Sequence, residues 1–493
     1  MGRTPVPAFP GSIRGKGTTV AQHDALLKPL TIKGLTIRNR FLSTSHSPGY
    51  ATAGQANDRY VRYHEEKARG GIGLTQFGGA TATSIENTID YGQLDGSTDA
   101  AIDSYARFAE AIHRHGAACM VQLRHGGRRE RWDMANWLPA YAPSSRREPV
   151  HRSFPVAMDR HDIARVREDY AQAALRAKKG GLDGVEISCA NQTLIDQFWS
   201  PATNHRTDKY GGSLENRMRF GRMVFEAMRE AVGKEFLLGV RMTMTEHDYD
   251  ASGLSFEANI EIAQRLKNDG ILDFLNLVSG RIDSMPRLTN YMPGMAAPLA
   301  PFLQQVAMFR KEIDLPIFHA TRINDLATAR HAITEHIVDM VGMTRGHIAD
   351  PYIVEKLMRG EEDRIRSCVG ATYCSNFRYC IQSPATARES SLPHQIAKNT
   401  DRQKKVVVVG GGPGVLEAAR VCASPGHQFV LFEAADRAGG QVLLAGKVRW
   451  RTDLNSIIDW LENECRILGV DIRFNHFGES DDVLAENPDV VIV

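Results

Sequence analysis

DIARVREDYAQAALRAKKGGLDGVEISCA, residues 162–190, carries the pattern that decides the fold. Its first part, Asp162–Lys179, is amphipathic at helical spacing, and Asp162 offers a side chain to cap the helix start. Its last part, Gly184–Ala190, is a short apolar run of the kind that a buried strand shows. The same alternation continues in both directions. Strands are expected at Phe41–His46, Gly71–Phe77, Ala117–His125, Phe236–Thr243, Phe274–Gly280, Pro316–Ala320 and Met340–Arg345. Leu214–Val232 and Phe256–Asp269 read as further helices, the second capped by Ser255. Eight strands, each followed by a helix, over about 330 residues fit an α/β fold: a closed, parallel (β/α)8 TIM barrel. An open doubly wound sheet is the competing reading, and the count of eight favours the barrel.

Composition excludes several classes. The 493 residues are 42% hydrophobic and 24% charged, enough to bury a sizeable core and unlike a disordered or fibrous chain. Lys and Arg total 60 against 58 Asp and Glu, a net charge of +2, so there is no electrostatic footprint for nucleic acid or an anionic membrane. No apolar run approaches the length of a membrane span, and residues 1–24 lack the apolar core of a secretory signal. Residues 1–24 are expected to form a flexible arm. Seven cysteines in so long a chain are no disulfide framework, which points to a reducing, cytoplasmic setting. Cys119, Cys189, Cys422 and Cys465 stand alone as small core residues, whereas Cys368, Cys374 and Cys380 lie close together. Residues 384–404 are polar and read as a linker, and Lys405–Gly410 then starts a second unit. The expected domains are a barrel at 25–365, a cysteine segment with linker at 366–404, and a nucleotide-binding unit at 405–493.

Barrel enzymes place their chemistry at the carboxyl ends of the strands. Those ends carry Ser43, Thr44, Ser45 and His46; Gln122 to Arg128; Ser188 to Asn191; Arg241; Thr321 and Arg322; and Thr344 and Arg345. Arg322 and Arg345, after the last two strands, could clamp a phosphate. Gln122 could read the edge of a flat ring, and Arg241 could place charge near a ring carbonyl that becomes anionic on reduction. A phosphate plus a planar redox ring suggests FMN. For any single arginine a surface ion pair is the better reading; the joint pattern at strand ends shifts the balance.

The run from Asp196 to Arg217 (DQFWSPATNHRTDKYGGSLENR), with Asn39-Arg40, Val121–Arg128 and Arg345–Pro351, resembles the old yellow enzyme superfamily over about residues 25–380. The linker, cysteines and second unit resemble the branch containing trimethylamine dehydrogenase and 2,4-dienoyl-CoA reductase. That resemblance implies an FMN barrel, a 4Fe–4S cluster and a nucleotide-binding region. It makes Gln122, Arg241, Arg322, Thr344 and Arg345 FMN contacts, with Ser43, Thr44, Ser45 and His46 beside the ring.

The active-site positions depart from both relatives. The reductase's proton-donating tyrosine falls at Thr193, too weak an acid for that work, and its partner histidine falls near Arg281–Ile282. The dehydrogenase's tyrosine and histidine become Ser188 and Asn191, and its flavin-linking cysteine becomes Ser47, so non-covalent FMN is expected. A hydroxyl and an amide suit neutral hydrogen bonding to a small amine. Ser43–Pro48, Asp196–Pro201 and Cys368–Cys374 look most like the dimethylglycine and N-methylproline demethylase side of the branch. The preferred reading is oxidative N-demethylation of a small N-methylated amino acid or amine by hydride transfer to FMN, with Ser188, Asn191 and His46 as the catalytic set. An NAD(P)H-dependent ene-reductase is the alternative, and a degenerate flavoprotein without turnover the third. Arg146–Arg152 is either a basic lid for a substrate carboxylate or a solvated charged loop.

Relatives hold the cluster with four cysteines. Here the order is Cys368, Ala371, Cys374 and Cys380, with alanine at the second ligand position and a shortened last gap. Three cysteines with a non-cysteine fourth ligand (His347 or Asp350 among the candidates), a three-iron species, or an unliganded remnant all stay open. In the second unit Val406–Val409 leads into Gly410-Gly-Gly412-Pro-Gly414-Val415, and Glu433 follows Gly412 by about 20 residues, the spacing of a ribose-binding acid. FAD or an ADP moiety is the expected ligand. Val415, where a third glycine is usual, is expected to crowd helix against strand. Asp489–Val493 reads as an interior strand, and family members continue well beyond it, so this unit is expected to be C-terminally incomplete. The remaining partners are a small-molecule substrate, an unnamed electron acceptor and a second copy of the chain in a homo-oligomer.

Overall fold

Eight parallel strands close on themselves: β1 (Phe41–Ser43), β2 (Leu74–Ala82), β3 (Ala118–Arg124), β4 (Gly184–Cys189), β5 (Leu237–Thr243), β6 (Phe274–Val278), β7 (Ile317–Ala320) and β8 (Met340–Gly342). Each pairs with its neighbours in sequence, and β8 returns to β1 through Val341 opposite Phe41. The computed structural model describes residues 23–87, 92–131, 137–398 and 402–493, so nearly all of the arm expected at 1–24 lies outside the described residues. The closed barrel rules out the open-sheet alternative.

The strands are buried on both faces, hence their nearly continuous apolar composition. Leu42, Leu74, Met120, Leu237, Phe274, Phe318 and Met340 pack together inside one end of the barrel. Ile32 and Ile37 of an antiparallel hairpin (Leu30–Ile32 with Leu35–Ile37) close that end. Catalytic access is therefore confined to the opposite, carboxyl end of the strands.

An outer ring follows: α1 (Asp58–Arg69), α2 (Ala100–His113), α3 (Arg160–Lys179), α4 (Leu214–Val232), α5 (Phe256–Asn268), α6 (Leu303–Arg310), α7 (Leu326–Thr334) and α8 (Ile353–Arg359). Ser255 caps α5, as its place before the apolar run predicts; its side chain accepts the Ala258 N–H at 3.1 Å. Asp162 does not cap α3. Asp159 does, accepting from His161 N and Asp162 N, and Asp162 reaches back to the Asp159 N–H at 3.0 Å. The two aspartates form a capping box, so the helix begins earlier than one cap alone implies.

The final barrel strand stops at Gly342, and Thr344–Ala349 turns into a short helix rather than continuing to Arg345. Residues 383–387 of the polar stretch pack on the barrel: the Thr386 hydroxyl donates to Ile348 O at 2.7 Å and Arg59 donates to Ala387 O at 2.9 Å.

Residues from Lys405 onward form a four-stranded parallel sheet of β9 (Lys405–Val409), β10 (Gln428–Phe432), β11 (Asp471–Arg473) and β12 (Val490–Ile492), ordered β11-β10-β9-β12. The helices α9 (Pro413–Ala423) and α10 (Asn455–Ile467) pack against it through Leu416, Ala419, Ile458 and Leu461, sharing a core with Val369 of the cysteine segment. β12 is an edge strand that leaves Val490 and Val491 exposed. Val415 stays partly exposed, and Leu416 and Ala419 seat the helix beside it, so the expected crowding is taken up at the helix surface.

Candidate functional site

The carboxyl ends of the strands converge on a carboxylate that the motif reading passed over. Glu186, in the middle of β4, is fully buried and accepts four hydrogen bonds from neutral donors on four other elements. Gln122 Nε2 on β3 donates at 2.7 Å, Ser45 Oγ after β1 at 3.1 Å, Asn276 Nδ2 on β6 at 2.7 Å and Gln76 Nε2 on β2 at 3.1 Å. The ladder makes this inevitable, because Gln122 lies opposite Glu186 and Asn276 opposite Arg241. Arg241 itself faces the barrel mouth with its Nε lacking a partner. Its burial works against the charge, but Tyr291 and Glu186 outweigh that and raise its pKa, holding it protonated.

Beside this network, residues after β1 form an aromatic and basic group. His46 donates from Nδ1 to Thr44 O at 2.9 Å, since a carbonyl only accepts; Nε2 therefore accepts the Tyr63 hydroxyl at 2.8 Å. Both ring nitrogens are engaged. Burial, then the positive charge of Lys67, pushes His46 down to about 3, so it is neutral at physiological pH. Lys67 is 1% exposed, lies 4.0 Å from the centre of the Tyr63 ring and donates to Ser43 Oγ at 3.3 Å. Burial lowers its ammonium to about 7. Thr44 N and the Thr44 hydroxyl both meet Thr344 Oγ1, at 2.8 and 2.7 Å, across the β8–β1 seam.

The turn after β4 is strained. Asn191 and Gln192 take φ of +70° and +59°, left-handed values that non-glycine residues adopt at a cost of about 1–3 kcal/mol each. Arg129 Nη1 pins the turn by donating to Asn191 O and Ile282 O, both at 2.7 Å, and Arg128 donates to Gln192 Oε1. Asn191 Nδ2 donates to the Tyr291 hydroxyl at 3.0 Å, leaving Asn191 Oδ1 buried without a partner. Tyr291 ends a short helix, Met285–Tyr291, and lies close enough to Arg241 to favour its charged form. Ser188 lies opposite Arg241 in the ladder, so Ser188, Asn191, Arg241 and Tyr291 share one side of the mouth.

Two further positions are structural. Thr193 places its hydroxyl 2.6 Å from both Ser188 O and Asp196 Oδ1. The hydroxyl is the donor to both acceptors, which favours the Asp196 carboxylate, but burial outweighs this and lifts Asp196 to about 7. Arg281 sits in an ion network with Asp250 and Asp283. Arg146, Arg147 and Arg152 are exposed around a fully buried Glu148, as in a solvated charged loop.

The two arginines expected at a phosphate meet around one loop. Arg345 Nη1 donates to Pro293 O at 2.8 Å; Arg322 Nη2 donates to Met295 O at 3.3 Å and to Asp453 Oδ2 at 2.8 Å. Arg322 Nε and Nη1 are buried with no partner.

In the cysteine segment, Cys374 is pushed up to about 11 by burial and then by Cys368 and Cys380. The Gly370 N–H points at Cys368 Sγ, 3.4 Å away. Ala371 contributes only a methyl group. Asp350 is taken by Lys356 Nζ at 2.6 Å and the Arg366 N–H at 2.9 Å, and His347 Nδ1 by Met343 O at 3.0 Å. No disulfide joins any of the seven cysteines. In the second unit Glu433 accepts the N–H groups of Gly411 and Ala435, the latter at 2.8 Å. A Cβ built on Gly410, Gly412 or Gly414 would meet nothing within 4 Å, so the space before this loop is open.

Comparison with known proteins now decides the family. The NADH:flavin oxidoreductase / NADH oxidase family matches residues 25–364. The chain belongs to this family. It is 46% identical over 477 residues to the multifunctional alkene reductase/demethylase OYE of Caballeronia cordobensis, covering 96% of this chain and 70% of that one. It is 44% identical over 479 residues to the N,N-dimethylglycine/sarcosine dehydrogenase of Chromohalobacter salexigens, covering 95% and 69%. Among solved structures, 2-naphthoyl-CoA reductase in complex with 2-naphthoyl-CoA superposes with a TM-score of 0.88 at 28% identity, over 95% of this chain and 73% of that one. The chain is thus a flavin-dependent oxidoreductase.

The residues present fit the FMN of this family. Arg322 offers two unpartnered buried nitrogens to an anion, and Arg241 offers another at the mouth. For a four-thiolate cluster the fit is partial: the segment supplies three thiols, and the fourth position, Ala371, is a methyl group. Among the described residues no helix is long and apolar enough to cross a membrane.

Proposed function

We propose that this flavoprotein oxidatively N-demethylates a small N-methylated amino acid or amine. The observation that carries this reading is the Asn191 side chain. One N–H of its NH2 group goes to Tyr291, and Oδ1, buried with no partner, offers a ligand an acceptor. An acceptor suits the N–H of an arriving methylammonium; an enoyl carbonyl needs donors. Ser188 and Asn191 bind the amine and His46, neutral and held by Tyr63, shapes the wall. Arg322, Arg345 and Thr344 hold the flavin phosphate. Gln122 and Arg241 face the ring, and the Ser43, Thr44 and Ser45 backbone lies beside it. Bound FMN supplies the two-electron acceptor for the N-methyl C–H, and water then hydrolyses the substrate iminium to formaldehyde and the demethylated amine. The protein's own task is to orient the amine and exclude solvent. One relative is named for demethylation and another for dimethylglycine and sarcosine, which supports this substrate class.

Alkene reduction is a second reading, favoured by Tyr291. Its hydroxyl accepts from Asn191 Nδ2 beside the charge of Arg241, which leaves the phenolic proton for a substrate carbon. The reading extends to the rest of the chain as follows. Cys368, Cys374 and Cys380 hold an iron–sulfur cluster through three thiolates with a non-cysteine fourth ligand. Residues 405–493 form a Rossmann-like unit whose Gly410–Gly412 loop and Glu433 take an FAD or ADP moiety, in keeping with the strand order. The free thiols support a reducing, cytoplasmic setting.

Anaerobic titration of the purified chain tests the main reading. N-methylproline or dimethylglycine should bleach the flavin without NAD(P)H and release formaldehyde. Bleaching by NAD(P)H alone, with reoxidation by an enone, would favour alkene reduction instead.

A further inference from the structure

The second unit touches the barrel's phosphate-facing arginine at one point. We propose that this contact completes the flavin site: Asp453 is a positioning residue that orients Arg322, so tight FMN binding requires the second unit to be seated on the barrel. The proposal rests on the flavin-binding reading above.

Four observations converge. First, the Arg322 side chain is 3% exposed, and its Nη2 is the nitrogen that Asp453 Oδ2 takes at 2.8 Å. Nε and Nη1 remain buried and unpartnered, which is costly unless a ligand takes them. Second, Thr321 and Arg322 have φ of +111° and +53°, consecutive left-handed conformations that persist only where the surroundings impose them. The Arg322 carbonyl is fixed by the Ala300 N–H at 3.1 Å; Asp453 fixes the other end of the residue.

Third, the cysteine segment closes on the same guanidinium. A Cβ on Gly370 would lie 2.3 Å from Arg322 Nη1, and the Gly370 carbonyl accepts the Met295 N–H at 2.9 Å. Glycine at 370 is thus required for the arginine to hold its place. Fourth, Asp453 is itself held. It lies two residues before α10, which docks on residues 364–366: Arg364 forks onto Glu464 with two bonds of 2.9 Å, and the Trp460 indole N–H donates to Arg364 O at 2.9 Å. Arg366 lies 3.9 Å over the Trp460 ring.

A carboxylate beside a phosphate site could instead compete with the phosphate. The geometry argues against competition. Asp453 engages a nitrogen already shared with Met295 O, and its side chain is 39% exposed. Water screens its charge toward a phosphate, while the direction it imposes on the guanidinium is unscreened.

The test measures FMN and riboflavin dissociation constants, by flavin fluorescence, on the full chain carrying Asp453→Ala, Asp453→Asn, Asp453→Glu and Glu464→Ala. Asp453→Ala and Asp453→Asn are expected to weaken FMN roughly tenfold or more, the factor carried by one charge-assisted hydrogen bond. Riboflavin, which has no phosphate, should be unaffected, and Asp453→Glu should recover part of the loss. Glu464→Ala, which loosens docking without touching Arg322, should weaken FMN in the same selective way. Wild-type FMN affinity in Asp453→Ala, tighter binding, or an equal loss for riboflavin would overturn the inference alone. A wild-type chain that takes up no FMN would overturn the flavin reading and this inference with it.

Discussion

Replacing Glu186 by glutamine tests whether the barrel mouth is organised around a single carboxylate. In the native site Oε1 accepts from Gln122 and Ser45, and Oε2 from Asn276 and Gln76. A glutamine accepts at one oxygen and turns an NH2 group toward the other pair, so two donors face two donors. Hydrogen bonds to a charged acceptor contribute about 1.5–3 kcal/mol each, and losing two costs roughly 3–6 kcal/mol before relaxation. Relaxation is available. The Ser45 hydroxyl can rotate to accept, and Asn276, whose Oδ1 has no partner, can flip its amide at the expense of its 2.7 Å bond. Whichever pair the NH2 group faces, one of these recovers about one neutral bond, so the net loss is expected at roughly 2–5 kcal/mol. Arg241 also loses a compensating charge, which acts in the same direction. Against a typical total of about 5–15 kcal/mol this is a large fraction. Urea unfolding at neutral pH, following near-UV circular dichroism, should show a clearly lower midpoint for Glu186→Gln with an unchanged slope for the barrel transition. A midpoint equal to wild type would refute the reasoning, because it would mean that the carboxyl group does not accept from four donors.

Three other outcomes are expected. Tyr291→Phe should cut reduction of an activated alkene by roughly 10²–10⁴-fold while leaving amine demethylation within about tenfold, in parallel steady-state assays; equal losses would sink the proton-donor reading. Thermal stability should fall as pH drops from 6.5 to 4. Burial holds His319 and His347 near 4 and His46 near 3, whereas the unfolded chain protonates each near 6.5, so U binds the extra protons and each histidine removes about 1.4 kcal/mol per pH unit. Asp196, lifted to about 7, runs the other way and offsets one of the three, leaving roughly 3 kcal/mol per unit; a flat or rising Tm over that window would contradict this. Cys374→Ser should lose iron and acid-labile sulfide while keeping its flavin, and an iron content equal to wild type would exclude this thiol as a ligand.

The parts of the site that sequence makes visible and those it hides divide along a physical line. A strand buried on both faces is largely apolar, so all eight strands can be read locally, and the residues at their carboxyl ends follow from the count. The readings overrun at β1 and β8, where the chain leaves the ladder to build the site. Thr44 and Thr344 there exchange ladder bonds for bonds to each other, across 300 residues of sequence. Glu186 is conspicuous as an acid inside an apolar run, but nothing local shows that donors on four other elements point at it. Lys67 meets Tyr63 one turn away in the same helix and Tyr291 sits in a short helix without a motif; only closure of the barrel puts the first against Ser43 and the second against Arg241. Asp453 is more remote still, because its partner Arg322 belongs to a different sheet. Strand-end position thus selects which residues can act, whereas the choice of partner, which sets charge, tautomer and orientation, is made only when distant strands close on one another. A side chain such as His46 illustrates the gap: its place at the barrel mouth follows from its strand, but its neutral form with both nitrogens engaged follows from Thr44, Tyr63 and Lys67 together.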